Sequence, residues 1–191
     1  MHRASRGFVL LVCAAALGTP ARQTGAPQQP AGLETDWDIA AVLGEMSSHA
    51  ARLLPLLDRA DSQSWIARGA PDTYAAQVQS ARDQAHAIAD GAKALARNPE
   101  KLSASLELFF RIQGLETMVG SVAEALRKYQ SPADAQALIA LSAENGAYRD
   151  RFQRYIVNLA AEREKEYVVM DNEAQRCRGA LTAPNVPIRK K

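Results

Sequence analysis

Seven residues between Tyr74 and Leu95 constrain the fold more than any others in the chain. Tyr74, Val78, Ala81, Ala85, Ile88, Ala92 and Leu95 recur at alternating steps of four and three. Apolar side chains that return twice in every seven residues form one seam along a helix, and such a seam is stable only against other helices. Three of the seven are alanine, whose methyl group cannot fill a wide gap, so the partner must come close.

The flanking sequence supplies those partners. Before the seam, Ile39, Val42, Met46, Ala50, Leu53 and Leu57 mark a helix over 36–60, opened by Thr35 and Asp38 in the spacing of a capping box. Pro55 lies inside it and predicts a kink or an early end near Leu53, because proline lacks the N–H that the helix needs and crowds the preceding turn. The connection through Asp61 to Pro71 carries loop residues, with Trp65 and Ile66 placed to lid one end of the core and Pro71 suited to a first helical turn. After the seam, Asn98 and Pro99 stop one helix and start the next, over 99–129, which is expected to bury Leu102, Leu106, Phe109, Phe110, Leu115, Val119, Val122, Leu126 and Tyr129. Gly114 and Gly120 inside that helix call for a close neighbouring backbone or a bend.

Ser131 and Pro132, with Asp134 following, give a further start signal. From there Leu138, Leu141, Asn145, Tyr148, Phe152, Ile156, Leu159, Arg163, Tyr167, Met170, Ala174 and Cys177 hold helical spacing up to a stop at Gly179. Asn145-Gly146 is a turn dipeptide, yet the apolar phase runs through it without slipping, so a continuous helix is expected. Such a rod would outrun its neighbours by roughly 20–25 Å at 1.5 Å per residue. No strand pattern competes, since Val168-Val169 is the one notable β-branched pair and sits in helical spacing. Short connections make neighbours antiparallel, so the expected fold is all-α: an antiparallel up-down-up-down four-helix bundle with a long last helix, over residues 35–179.

The chain ends carry different signals. Arg3 and Arg6 precede the apolar run Gly7 to Leu17, and Thr19-Pro20-Ala21 follows with small residues, the order of a secretory signal peptide over 1–21. The run is about half of the ~20 residues that a spanning helix needs, and Leu10-Leu11-Val12-Cys13 departs from a lipobox at Val12. Residues 22–34 read as a flexible leader and residues 180–191 as a disordered basic tail. Cleavage after Ala21 would remove Arg3 and Arg6 and leave 21 basic against 21 acidic residues, so the mature chain has no global electrostatic case for nucleic acid. It would also remove Cys13 and leave Cys177 with no intramolecular disulfide partner in an exported, periplasmic or secreted, protein.

Sites for chemistry are sparse. Covalent haem would need Cys-x-x-Cys-His, which the sequence lacks; non-covalent haem, a metal or a small apolar ligand would have to use the core around Met46, His49 and Met118, with His86 turned outward from its seam. A di-iron site would need two Glu-x-x-His pairs, and Asp83-Gln84-Ala85-His86 is one pair with the wrong acid. Glu162, Glu164 and Glu166 alternate with Arg163 and Lys165 as a solvated charged face, and Arg149, Arg151 and Arg154 read as surface charge. Asn145 on the seam reads as a register-setting residue. The expectation is therefore an interaction or structural component of the cell envelope, not an enzyme and without a cofactor; the alternative is a ligand carrier. The expected interaction surface is the apolar stripe Tyr167, Met170, Ala174 and Cys177, where a protein partner, a second copy with a Cys177 to Cys177 disulfide, or the leader through Leu33 and Trp37 could dock.

Overall fold

The computed structural model describes residues 36–182, so the expected signal peptide, the leader with Leu33, the expected capping residue Thr35, and the end of the basic tail lie outside the described residues. Within that range the chain is a helical bundle, and no strand occurs among the described residues. Its elements are α1 (Asp36–Asp58), the short α2 (Ser62–Ala67), α3 (Thr73–Ala96), α4 (Leu102–Tyr129), α5 (Pro132–Ala143) and α6 (Gly146–Thr182). No helix among the described residues is long and apolar enough to cross a membrane.

The seam that opened the sequence reading lies on α3, where Val78, Ala81, Ala85, Ile88, Ala92 and Leu95 are buried and Tyr74 is half-buried. It packs on α1, and the small side chains do bring the two helices close: the Ser47 hydroxyl donates across the interface to the backbone carbonyl of Ala89 at 2.7 Å. Further along the same interface Arg82 donates to the carbonyl of Leu57 at 3.0 Å, supplying positive charge at the carbonyl end of α1. Residue numbers therefore rise on one helix as they fall on the other. The same holds for α3 and α4, where Ser121 meets Gln77 and Leu108 lies by Gly91. Helices α5 and α6 both pack on α1 and on α4, which closes the ring around one core.

Pro55 does not end α1. The helix continues to Asp58, and Pro55 sits on its exposed side, where water can satisfy the Ala51 carbonyl that the proline leaves without a donor. Helix α4 starts at Leu102, not at Pro99, because the N–H groups of Arg97 and Asn98 still turn back onto Ala94 and Leu95 and keep Asn98 within the connection. Its buried seam is Ser105, Leu108, Ile112, Leu115, Val119, Val122 and Leu126, a heptad pattern that departs from the expected one before Leu115 and coincides with it at Leu115, Val119, Val122 and Leu126. Phe110 is consequently 63% exposed and Leu106 lies at the surface; adjacent positions on a helix point about 100° apart, so Phe109 and Phe110 cannot share one face. Open space surrounds Gly114 and Gly120, so close backbone approach is not their role.

The expected continuous last helix is interrupted. Glu144 and Asn145 form a turn between α5 and α6, with Glu144 N–H bonded three residues back to Leu141 at 3.1 Å and Asn145 N–H to Ser142 at 3.4 Å. The phase nevertheless survives: Leu138, Asn145, Phe152, Ile156 and Leu159 are all buried. At the far end the helix does not stop at Gly179 but runs through it to Thr182.

One end of the core is closed tightly. Trp65 on α2 is fully buried, and its ring meets Tyr74 edge-on with centroids 6.2 Å apart, as Tyr74 does Tyr129. Gln130, just after α4, ties this end together: its Oε1 accepts from Trp65 Nε1 at 2.9 Å and from Asp61 N–H at 3.0 Å, and its Nε2 donates to the Arg59 carbonyl at 2.8 Å. The Arg68 guanidinium adds a hydrogen bond to the Tyr129 carbonyl.

Candidate functional site at the end of the last helix

Helix α6 has 37 residues, an end-to-end length of roughly 55 Å. Only its first part is in the core, through Phe152, Tyr155, Ile156 and Leu159. Arg163 marks where it leaves the other helices: Nη2 donates to Glu100 Oε2 at 2.9 Å across to the α3–α4 connection, and Nη1 to Glu166 Oε2 at 2.7 Å along its own helix. These carboxylates raise the Arg163 pKa, the Glu166 hydrogen bond being the larger cause. Every residue from Glu164 to Thr182 is exposed, a length of roughly 28 Å.

All four expected interaction residues, Tyr167, Met170, Ala174 and Cys177, fall in this length. Tyr167 is 70% exposed and Met170 67% exposed, and Cys177 is a free thiol at the surface. With Arg163 and Leu181 they form a stripe at steps of four, three, four, three and four, in phase with the buried residues of the same helix. Sequence reasoning noted Val168-Val169 only as a β-branched pair and did not place them or Leu181 on the interaction surface, yet all three are also exposed. The signal was available, because in the run Tyr167-Val168-Val169-Met170 no helical face can take up all four side chains. The leader's possible cover for this stripe falls on side chains outside the described residues.

Charge on the same length is segregated. Residues 162–173 hold five acidic side chains, Glu162, Glu164, Glu166, Asp171 and Glu173, against Arg163 and Lys165, while residues 174–182 hold Arg176 and Arg178 and no acid. Lys165 is engaged by Glu162 at 2.6 Å. The helix is thus acidic where it leaves the bundle and basic towards its end.

The alternative site in the core is small. Met46, His49, Leu53, Ile88, Ile112 and Asn145 line a void of about 10 Å³, the room of a single water. His49 is buried and its Nε2 lies 2.7 Å from the Leu141 carbonyl, one of those at the turn between α5 and α6. A carbonyl only accepts, so Nε2 carries the proton. His49 thus supplies from α1 a donor to the carbonyl that a continuous helix would have offered to Asn145 N–H. Asn145 does not cap α6: its Oδ1 is buried without a protein partner, and the residue is one of those lining the void. Met118 is half-buried on α4, and His86 is exposed as expected. Arg149 bridges to Glu116 at 2.9 Å and to Asp150, and those hydrogen bonds, Glu116 first, raise its pKa. Among the described residues no group of three or more His, Cys, Asp or Glu side chains could hold a metal ion.

Comparison of the chain with protein-family models, with curated proteins and with solved structures gives no match.

Proposed function

We propose that the protein is an exported component of the cell envelope that binds another polypeptide through the exposed length of α6. The observation that carries this reading is the run Tyr167 to Met170, four consecutive apolar side chains each more than half exposed on a helix that has parted from its neighbours. A soluble chain seldom leaves such a surface bare, and a run of this kind marks a binding site more readily than a packing error. The rest of the chain acts as the mount. Its paired contacts support an antiparallel up-down-up-down four-helix bundle in which α5 and α6 together make the fourth rod. Export is supported by the charge, apolar run and small residues at positions 1–21. The role is structural or adhesive and not enzymatic, and the buried polar groups favour that view: His49 is used on a backbone carbonyl and Ser47 on another.

The test is site-specific photo-crosslinking in the native host, with the reactive residue at position 170 or, as a control, at exposed position 136 on α5. Polypeptide adducts at 170 and not at 136 are expected. Equal yields at the two positions would overturn the reading.

A further inference from the structure

We infer that the exposed length of α6 pairs with the same length of a second copy, antiparallel and centred near Asn172. This deepens the partner-binding reading and rests on it. Two properties of the helix point to the same geometry.

The first is charge. The length is acidic near the bundle and basic towards its end, so an antiparallel pair sets Glu164 beside Arg178 of the second copy, whereas a parallel pair sets Glu166 beside Asp171 and has only Glu173 beside Arg178. The second is side-chain size. Read as heptads, Tyr167, Ala174 and Leu181 occupy one core position of the stripe, and Arg163, Met170 and Cys177 the other. In an antiparallel pair each core position packs against the other kind. The register that uses the whole exposed length places Tyr167 against Cys177 of the second copy and Met170 against its Ala174, each combination occurring twice. Large side chains then fill the space left by small ones, as close packing requires. A parallel pair would oppose Ala174 to Ala174 and Cys177 to Cys177, leaving gaps, and crowd Tyr167 on Tyr167.

The same register sets Glu164 beside Arg178 of the second copy, once at each end of the overlap. At the centre it brings Asp171 and Glu173 near their own counterparts, so the association is of modest strength, and neutralising those two carboxylates strengthens it. The overlap runs from Arg163 to Leu181, roughly 28 Å, which leaves the two bundles at opposite ends of the paired segment.

Sedimentation velocity of the purified protein in reducing buffer, across about 1 to 100 micromolar, is expected to show a monomer–dimer equilibrium. Glu164→Arg and Arg178→Glu should each weaken it about tenfold, and the double variant should restore it. These sites are exposed, and unchanged circular dichroism verifies that the variants fold. A direct measure of direction uses thiol capture. With oxidised glutathione, which is reduced as the protein thiols join, wild-type chain mixed with Tyr167→Cys/Cys177→Ala should give a disulfide between Cys177 and the introduced thiol. Wild type alone should give none, since ten residues along a helix separate Cys177 from its counterpart by about 15 Å. A monomer at every concentration, a Cys177 to Cys177 disulfide, or a double variant as weak as the single ones overturns the antiparallel pair. If position 170 then still crosslinks to a different polypeptide, only self-pairing has failed; if it crosslinks to nothing, the partner-binding reading falls with it.

Discussion

The two ends of the bundle are built in opposite ways. Where α1, α2 and α3 meet the end of α4, Trp65 fills the core, Tyr74 and Tyr129 stack edge-on around it, and Gln130 serves a side-chain N–H, a backbone N–H and a backbone carbonyl at once. Where α6 leaves the bundle, Arg163 reaches across to Glu100, and beyond it lies surface with the same apolar spacing but with nothing packed upon it among the described residues. The chemistry needed to finish a helical bundle is therefore present in this chain and is used at one end. The bare stripe at the other end is a feature that calls for a partner.

That contrast breaks most visibly at Trp65. Trp65→Ala removes the largest fully buried side chain among the described residues and should cost about 3–5 kcal/mol, read as a lower denaturant midpoint with an unchanged slope. Tyr167→Ser, an aromatic lost from the opposite end, should leave folding stability within about 0.5 kcal/mol when measured at low concentration. If the two variants lost stability equally, the stripe would have to be packed inside the monomer, and the difference between the ends would vanish.

Gln130→Ala probes the closed end by polarity instead of volume. It strands the Trp65 Nε1–H, the Asp61 N–H and the Arg59 carbonyl together, and about 1–3 kcal/mol is expected. Chemical denaturation of Gln130→Ala beside Gln136→Ala, an exposed glutamine on α5, isolates the network: only the first should shift the midpoint. His49→Ala asks the same of the middle of the molecule, where one of two donors to the Leu141 carbonyl disappears while the Glu144 N–H remains. The carbonyl is not stranded, so the lost hydrogen bond should cost only about 0.5–1.5 kcal/mol.

Sequence periodicity was sufficient for the elements that pack by simple repetition. The α3 seam from Val78 to Leu95, the α1 positions from Ile39 to Leu57, and Leu138, Asn145, Phe152, Ile156 and Leu159 of the last rod are buried where spacing placed them, while Tyr74, Leu141 and Tyr148 are half-buried. It misled where two signals compete. Phe109 and Phe110 are both strongly apolar, and only the frame set by Ser105, Leu108 and Ile112 decides which turns inward; a serine at the core position hid that frame. At Asn145-Gly146 the phase continues while the hydrogen bonds do not, because phase reports burial and the backbone reports local turn preference. His49 was recognised as inward-facing, but its partner is a backbone carbonyl 92 residues away, and backbone carbonyls leave no mark in a sequence. For the candidate site the stripe was legible, and its exposure followed from one estimate, that the last rod outruns its neighbours.

The smallest expected effect concerns the boundary between the two regimes. Arg163 is the described residue of α6 that reaches farthest along the chain while still bonding another element, through Glu100. Because this pair is exposed to solvent, its removal should leave global stability unchanged. Yet it fixes the point at which the helix departs, so Arg163→Ala should let the turn around it open more often and speed amide exchange in α6 between Ala160 and Glu166 while exchange at Phe152 and Ile156 stays as in the wild type. If exchange rose equally at Phe152, the core would depend on the clamp and the bundle would extend past Leu159. If exchange did not rise at all, the exposed length would be held by something other than Arg163, and the bare stripe would need to be re-examined for cover from within the chain.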